Sequence, residues 1–309
     1  MRTTALLLLV AALLPACPKP VDDSGPDGDA DTDADTDADT DTDADSDTDA
    51  DMGDAIYPGD VIGRVHLYER RWGDHTSYSQ VGVELWDGVQ PGAQQLIDQV
   101  GDCQLLDGPR IYGWDCDPPC ADDEVCVGSE CVAYPGLAPS GTVTVSGLAD
   151  GDATFTPASD GRYPTSYDWP ADLFEADQSI TVTSTGGATP ALALQAWGVE
   201  SLVAQVDTIV PGQDLQVSWQ PPTEDRHSRI QLLLATGWHG ASSMTTIWCD
   251  TADDGELTVP AVLTAQFQIP SCGECESSSI SRYTQDAVDF GAGPVQLFVS
   301  SEMAFVAWW

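Results

Sequence analysis

The chain has 309 residues, 42% of them hydrophobic, and sets 51 acidic residues against 10 basic ones. Sixteen of the acids lie between Val21 and Asp54, so from Ala55 onward 35 acids face 8 bases, a balance of −27. A surface this negative repels phosphate backbones and anionic lipid surfaces, which excludes nucleic-acid binding and polybasic membrane docking. The length suits one or two globular domains.

The chain opens with Met1-Arg2-Thr3-Thr4 and the apolar run Ala5 to Leu14. That run is too short to span a bilayer and has the size of a signal-peptide core. It ends at Leu14-Pro15-Ala16-Cys17, which resembles the lipobox of bacterial lipoproteins. The resemblance implies that residues 1–17 are a lipoprotein signal peptide with its lipobox cysteine, cleaved just before Cys17, which is acylated and becomes the new N-terminus. Pro18 stands where the family uses aspartate for inner-membrane retention, so the resemblance implies an outer-membrane or cell-surface location. An ordinary secretory signal with an incidental cysteine is the plainer alternative.

Residues 18–55 are dominated by Asp-Ala and Asp-Thr pairs. Like charges at every second residue repel, and nothing strongly apolar is available to bury. The expectation is a disordered acidic stalk, with a reach on the order of 100 Å when extended. Alternating aspartates are also hard ligands for Ca²⁺. From Asp47, however, glycine arrives one place late at Gly53 for an EF-hand-type loop, and no glutamate follows at the required distance. Weak, diffuse Ca²⁺ binding is the most the tract supports, and no defined cofactor is expected.

Eight cysteines remain beyond Cys17: Cys103, Cys116, Cys120, Cys126, Cys131, Cys249, Cys272 and Cys275. In an exported chain they default to disulfides. Five lie early and three late, so complete pairing demands at least one bridge between the groups. The stretch Cys116–Cys131 has few core-forming residues and needs covalent closure to hold a shape. The working pairing is Cys116–Cys126 and Cys120–Cys131. Cys272-Gly273-Glu274-Cys275 has the spacing of thiol–disulfide oxidoreductases. Glu274 and Glu276 disfavour a thiolate there, so a structural role is preferred over redox chemistry. Zinc lacks a second Cys-x-x-Cys or a paired histidine to complete four ligands.

From Asp60 the pattern has period two. Val61–Tyr68 and Val81–Trp86 bracket a polar turn and read as paired strands. Gly92–Val100, preceded by Pro91, is the one fair helix candidate. Thr142–Val145, Ile180–Thr183 and Leu215–Trp219 alternate as strands, the last with Leu215, Val217 and Trp219 on one face. Ile230–Leu234 reads as a more buried strand, and Val295–Val299 and Ala304–Trp308 close the chain. Short strands between Gly, Pro and Asp turns predict an all-β fold, an antiparallel β-sandwich of immunoglobulin, fibronectin or jelly-roll type. Its domains are residues 56–135, a β-hairpin with a Cys-rich module, and residues 136–309, the sandwich. The competing organisation makes Tyr57–Trp309 one compound domain with the module inserted.

Asp214–Pro222, Ile230–Leu234 and Trp248–Leu263, with its Asp-Asp-Gly-Glu-Leu-Thr-Val-Pro segment, look like a family of lipoproteins from myxobacteria and their relatives. Those proteins also combine an acidic or low-complexity stalk, a Cys-rich module and β domains. The resemblance covers most of the chain loosely and implies localisation and architecture. It brings no activity and no catalytic residue.

Catalytic motifs are scarce. None of His66, His75, His227 and His239 sits in a His-Glu-x-x-His motif, and there is no Gly-x-Ser-x-Gly elbow or glycine-rich phosphate loop. His239 with Ser242 or Ser243 could form a base and nucleophile, but an exposed loop histidine is the simpler reading. Asp250, Asp253 and Asp254, with Glu256, could ligate Ca²⁺ at a sandwich edge. Asp254-Gly255 is equally a hairpin turn between Ile247-Trp248 and Leu257–Val259, and that reading is preferred. Among the ten tryptophans, Trp219 reads as core, and Trp238 in its Gly-rich setting is the candidate for an exposed ligand contact. The leading expectation is a lipid-anchored cell-envelope protein with a non-enzymatic binding or structural role and an envelope glycan or protein as partner. The alternatives are an envelope hydrolase with paired carboxylates and a thiol–disulfide protein using Cys272 and Cys275.

Overall fold

The computed structural model describes residues 60–72, 75–91, 94–107, 116–127, 129–223, 228–235, 245–267 and 278–305. Cys17, Trp238, Cys272 and Cys275, and His239 with its neighbouring serines, lie outside the described residues. Within them the regular secondary structure is strand, apart from a single four-residue helix, α1 (Ala261–Thr264). That helix is far too short to cross a membrane.

The architecture rests on one large sheet. Its first strands are β1 (Gly63–Trp72) and β2 (His75–Leu85), the antiparallel pair expected from the alternation. Next come β3 (Leu96–Val100) and β4 (Cys103–Asp107), then β9 (Ser166–Trp169), β14 (Arg229–Ala235), β15 (Thr245–Ala252), β17 (Ser278–Asp289) and β18 (Pro294–Phe305). The nine strands lie in the order β3-β4-β15-β14-β17-β18-β1-β2-β9. Every pairing between named strands is antiparallel except that of β1 with β18, which runs parallel from Gly63 opposite Val295 to Trp72 opposite Ala304.

Two smaller sheets pack on one face of this sheet, here called the inner face. One has the order β11 (Ala193–Trp197), β10 (Ser179–Ser184), β7 (Val143–Ser146), β8 (Ala153–Phe155). Its apolar side meets Val65, Leu67, Val81, Val83, Leu297 and Val299 in one core. The other has the order β12 (Ala204–Val206), β13 (Leu215–Trp219), β16 (Glu256–Val259). It closes a second core over Leu105, Ile230, Leu232, Ile247 and Ile280. Burying each such side chain contributes about 1.5–3 kcal/mol. The result is a double β-sandwich sharing one sheet. The edge of the four-stranded sheet docks on polar groups of β17: the Gln195 N–H donates to Asp286 Oδ2 (2.8 Å) and the Trp197 N–H to Thr284 Oγ1 (3.1 Å).

This topology corrects the division at residue 135. The large sheet takes strands from both 56–135 and 136–309, so neither segment has a complete sandwich of its own. The Cys-rich module lies in the chain between β4 and β7. That module is the two-stranded sheet β5 (Glu124–Val127) and β6 (Glu130–Ala133), closed by Cys116–Cys126 and Cys120–Cys131. A third disulfide, Cys103–Cys249, joins the early and late cysteines directly across β4 and β15.

Three local expectations are also corrected. The described part of Gly92–Val100 gives no helix: Leu96–Val100 is β3, paired with β4. Gly101, with φ of 57°, opens a two-residue turn that sets Val100 opposite Cys103, and that hairpin outcompetes a helix whose apolar side has nothing to cover it. Leu96 accordingly stays 55% exposed. The Asp254-Gly255 turn does not close a hairpin either. β15 belongs to the large sheet and β16 to the three-stranded one, so the turn carries the chain from one layer to the other. Finally, Val295–Val299 and the start of Ala304–Trp308 form one uninterrupted strand, β18.

Candidate functional site

The outer face of the large sheet is built differently. On β1, Val65 and Leu67 turn inward, so Arg64, His66, Tyr68 and Arg70 turn outward at every second position. The register sets Glu84, Gly82, Gln80 and Tyr78 of β2 beside them in that order. On the other side stand Gln296, Phe298, Ser300 and Glu302 of β18. A row of cationic, aromatic and amide groups therefore crosses three strands. The four β1 side chains and Phe298 are half-buried, and Tyr78 is 36% exposed.

The hydrogen bonds fix these groups in place. The Tyr68 hydroxyl donates to Gln80 Oε1, which leaves the Gln80 Nε2 amide to donate to His66 Nε2 (3.0 Å). His66 Nε2 is thus an acceptor and the ring carries its proton on Nδ1. Burial, and then the charge of Arg64, pull the His66 pKa down to about 4, so the ring is neutral at ordinary pH. It stacks beside Tyr68 with centroids 5.6 Å apart. The ring also lies over Gly82: a Cβ there would sit 2.3 Å from His66 Nε2, so only glycine leaves it room.

Two of the outer guanidiniums are neutralised. Arg70 Nη2 pairs with Glu302 Oε1 at 2.6 Å, and Arg229 Nη2 with Asp250 Oδ1 at 2.5 Å. Burial pulls the Arg70 pKa down, but the Glu302 charge and hydrogen bond outweigh it and raise it. Burial raises the pKa of Asp250, against the opposing pull of Tyr283 and Arg229. The Tyr283 hydroxyl donates to Asp250 Oδ2, and the Tyr283 ring stacks on Phe298 at 4.8 Å.

Arg64 differs. Its Nε donates to Gln296 Oε1 (2.8 Å) and its guanidinium lies 5.3 Å from the Phe298 ring centre. Its Nη2 is buried and has no hydrogen-bond partner. Burial lowers its pKa to about 10, opposed by Glu84, which leaves it charged at neutral pH. A buried donor without a partner costs about 1–3 kcal/mol.

Glu84 also lines a cavity of about 430 Å³ with Trp86, Tyr134, Arg162 and Tyr163, so the cavity and the outer face meet beside Arg64. Among the described residues, Glu84 is the one carboxylate in the cavity's lining.

The sequence-predicted candidates fall elsewhere. Asp250 and Asp253 are both buried and already bound, on opposite faces of the sheet. Asp250 is held by Arg229 and Tyr283 outside, and Asp253 by Arg282, Trp219 and Ser228 inside. Asp254 is exposed and accepts only the Glu256 N–H at 3.4 Å. The three carboxylates do not converge on a common centre. Cys116, Cys120 and Cys131 bring their sulfurs within 4.8 Å of one another, but each sulfur is in a disulfide and offers no thiolate to a metal. Of the four histidines, His66 alone has a described side chain, and it stands in the outer row. That row escaped the sequence reading. Its signal was Arg-x-His-x-Tyr-x-Arg at alternate positions from Arg64 to Arg70, interleaved with the valine and leucine that mark the strand.

No family model matches the chain, and no curated protein is similar to it. Among solved structures, the FN1–FN3 domains of chicken CNTN1 are similar at 9% identity and a TM-score of 0.19, over 81% of this chain. The match spans 66% of that chain, just under two thirds.

Proposed function

We propose that the protein is exported and lipid-anchored through Cys17 at the outer membrane or cell surface, and that it has a non-enzymatic binding role. The observation that carries the binding role is the outer row from Arg64 to Arg70. Side chains with ring faces and hydrogen-bonding heads are held rigidly on a strand whose opposite side is sealed core. Export is supported by three disulfides, which persist in oxidising compartments, and by the signal-like run before Cys17. The acidic stalk of residues 18–55 would hold the double sandwich away from the membrane. The ligand class is an envelope glycan or protein, and the resemblance to the myxobacterial lipoproteins agrees with this setting.

The test is expression of the full chain and of Cys17→Ala in a bacterial host fed labelled palmitate. The wild-type protein takes up label, partitions with membranes, and is degraded by protease added to intact cells. Cys17→Ala takes up none and is released. Label in both proteins, or a wild-type protein shielded from protease, would overturn the anchor or the surface location. Envelope glycan incubated with the protein is recovered at unchanged length; shortened chains would favour the hydrolase instead.

A further inference from the structure

The cavity of about 430 Å³ beside Glu84 opens to solvent: Glu84, Arg162 and Thr165 are exposed, as are Tyr134 at 46% and Leu137 at 39%. Its size falls within the roughly 300–1,000 Å³ of small-molecule sites. Bonds elsewhere fix its walls. Trp86 is bridged to Leu137, the Asp87 N–H donates to the Gly136 carbonyl (2.9 Å), and the Gly136 N–H donates to Asp87 Oδ1 (2.7 Å). The segment that leaves the Cys-rich module is thereby zipped to the end of β2. At Tyr163 the hydroxyl donates to the Gly141 carbonyl and accepts the Ser140 N–H, both at 2.8 Å.

Other groups of the lining are unspent. The side chains of Glu84, Gln90, Tyr134 and Thr165 have no hydrogen-bond partner among the described residues. Arg162 meets only Asp160, at 3.8 Å, with its side chain 77% exposed. Glu84 can only accept hydrogen bonds and Arg162 can only donate them, and the two charges cancel. A cation would be repelled by Arg162, and an anion by Glu84 in a region whose balance is −27. A zwitterion would answer the two charges and leave the amide and hydroxyls unused. Sugar hydroxyls both donate and accept, so they serve all of these groups, while the C–H face of the ring suits the Trp86 and Tyr134 rings.

Resting on the binding role above, we propose that this cavity seats a neutral hexose unit of a glycan. Glu84 accepts from its hydroxyls, Arg162 donates to them, and the ring lies against Trp86 and Tyr134.

The experiment is calorimetric titration of the full chain with maltotriose, cellotriose, mannotriose and N-acetylated chitotriose, and separately with glycylglycine and tetramethylammonium. At least one trisaccharide is expected to bind about tenfold or more tightly than the zwitterion and the cation. Tyr134→Ala should lose about tenfold for that trisaccharide, and Glu84→Gln about threefold or more. Urea unfolding of both variants, matching the wild type, shows that the loss is not one of folding. Indifference to all four trisaccharides, equal or tighter binding of glycylglycine or tetramethylammonium, or full affinity in Tyr134→Ala and Glu84→Gln would overturn the proposal. Wild-type protein that ignores the trisaccharides but binds isolated envelope glycan would overturn the neutral hexose while leaving the binding role. Protein that binds neither removes the glycan from that role as well.

Discussion

On the inner face of the large sheet, the guanidinium of Arg282 has partners on every side; on the outer face, that of Arg64 is also enclosed but keeps one nitrogen without a partner. Arg282 is 2% exposed and grips Asp253 with both Nε (2.5 Å) and Nη2 (3.0 Å). Its Nη2 also donates to the Gln220 carbonyl (2.6 Å), while Asp253 accepts Trp219 Nε1 and Ser228 Oγ, each at 2.7 Å. Every polar group there has a partner from the protein, which is how a buried ion pair is held without orphaned charge. Arg64 has one good hydrogen bond, one ring face and one buried nitrogen with nothing to bind. The same residue type thus locks two layers together on one face and stays unsatisfied on the other. The first network is complete within the protein, and the second leaves one buried donor unsatisfied.

The largest effect is expected where the inner network is broken. Arg282→Met leaves Asp253 buried without its partner and should cost about 3–5 kcal/mol in urea unfolding. A loss below about 1 kcal/mol would show that the ion pair does not tie the layers. Next comes Cys103–Cys249, which closes a separation of 146 residues between β4 and β15. Replacing both with alanine should lower stability by about 2–5 kcal/mol, with the two disulfides of the module intact on peptide mapping.

A smaller effect comes from His66. Its folded pKa, about 4, lies below the usual value near 6.5, so the unfolded chain binds the proton first. The contribution of neutral His66 is fully present above about pH 6.5 and is lost as pH falls towards 4, at no more than about 1.4 kcal/mol per pH unit. His66→Phe removes this slope. Comparing the acid limbs of the two stability curves checks it, and parallel limbs would show that the histidine is solvated.

Much of the fold was legible because its strands alternate cleanly. β13 shows Leu215, Val217 and Trp219 on one side, and β1 shows Val65 and Leu67. β17 was missed for a physical reason: its inward positions include Arg282, Thr284 and Asp286, which bond to neighbouring layers where apolar side chains would have advertised a strand. The helix expected over Gly92–Val100 came from reading apolar spacing without the turn at Gly101. The pairing of the module cysteines followed from spacing in an apolar-poor segment, whereas the Cys103–Cys249 bridge needed the strand order. The outer row was written in the sequence as charge and aromaticity at period two, but the missing partner of Arg64 Nη2 depends on which carboxylates reach which arginines. Only the assembled sheet sets that.

The most direct test of the contrast is urea unfolding of Arg64→Met beside the wild type in the absence of any ligand. Removing Arg64 relieves one unpartnered buried donor but also takes the Nε hydrogen bond from Gln296 and the guanidinium from the Phe298 ring, so the net loss should stay below about 2 kcal/mol. A loss greater than about 2 kcal/mol would make Arg64 a structural group like Arg282, and the contrast between the two faces would fail.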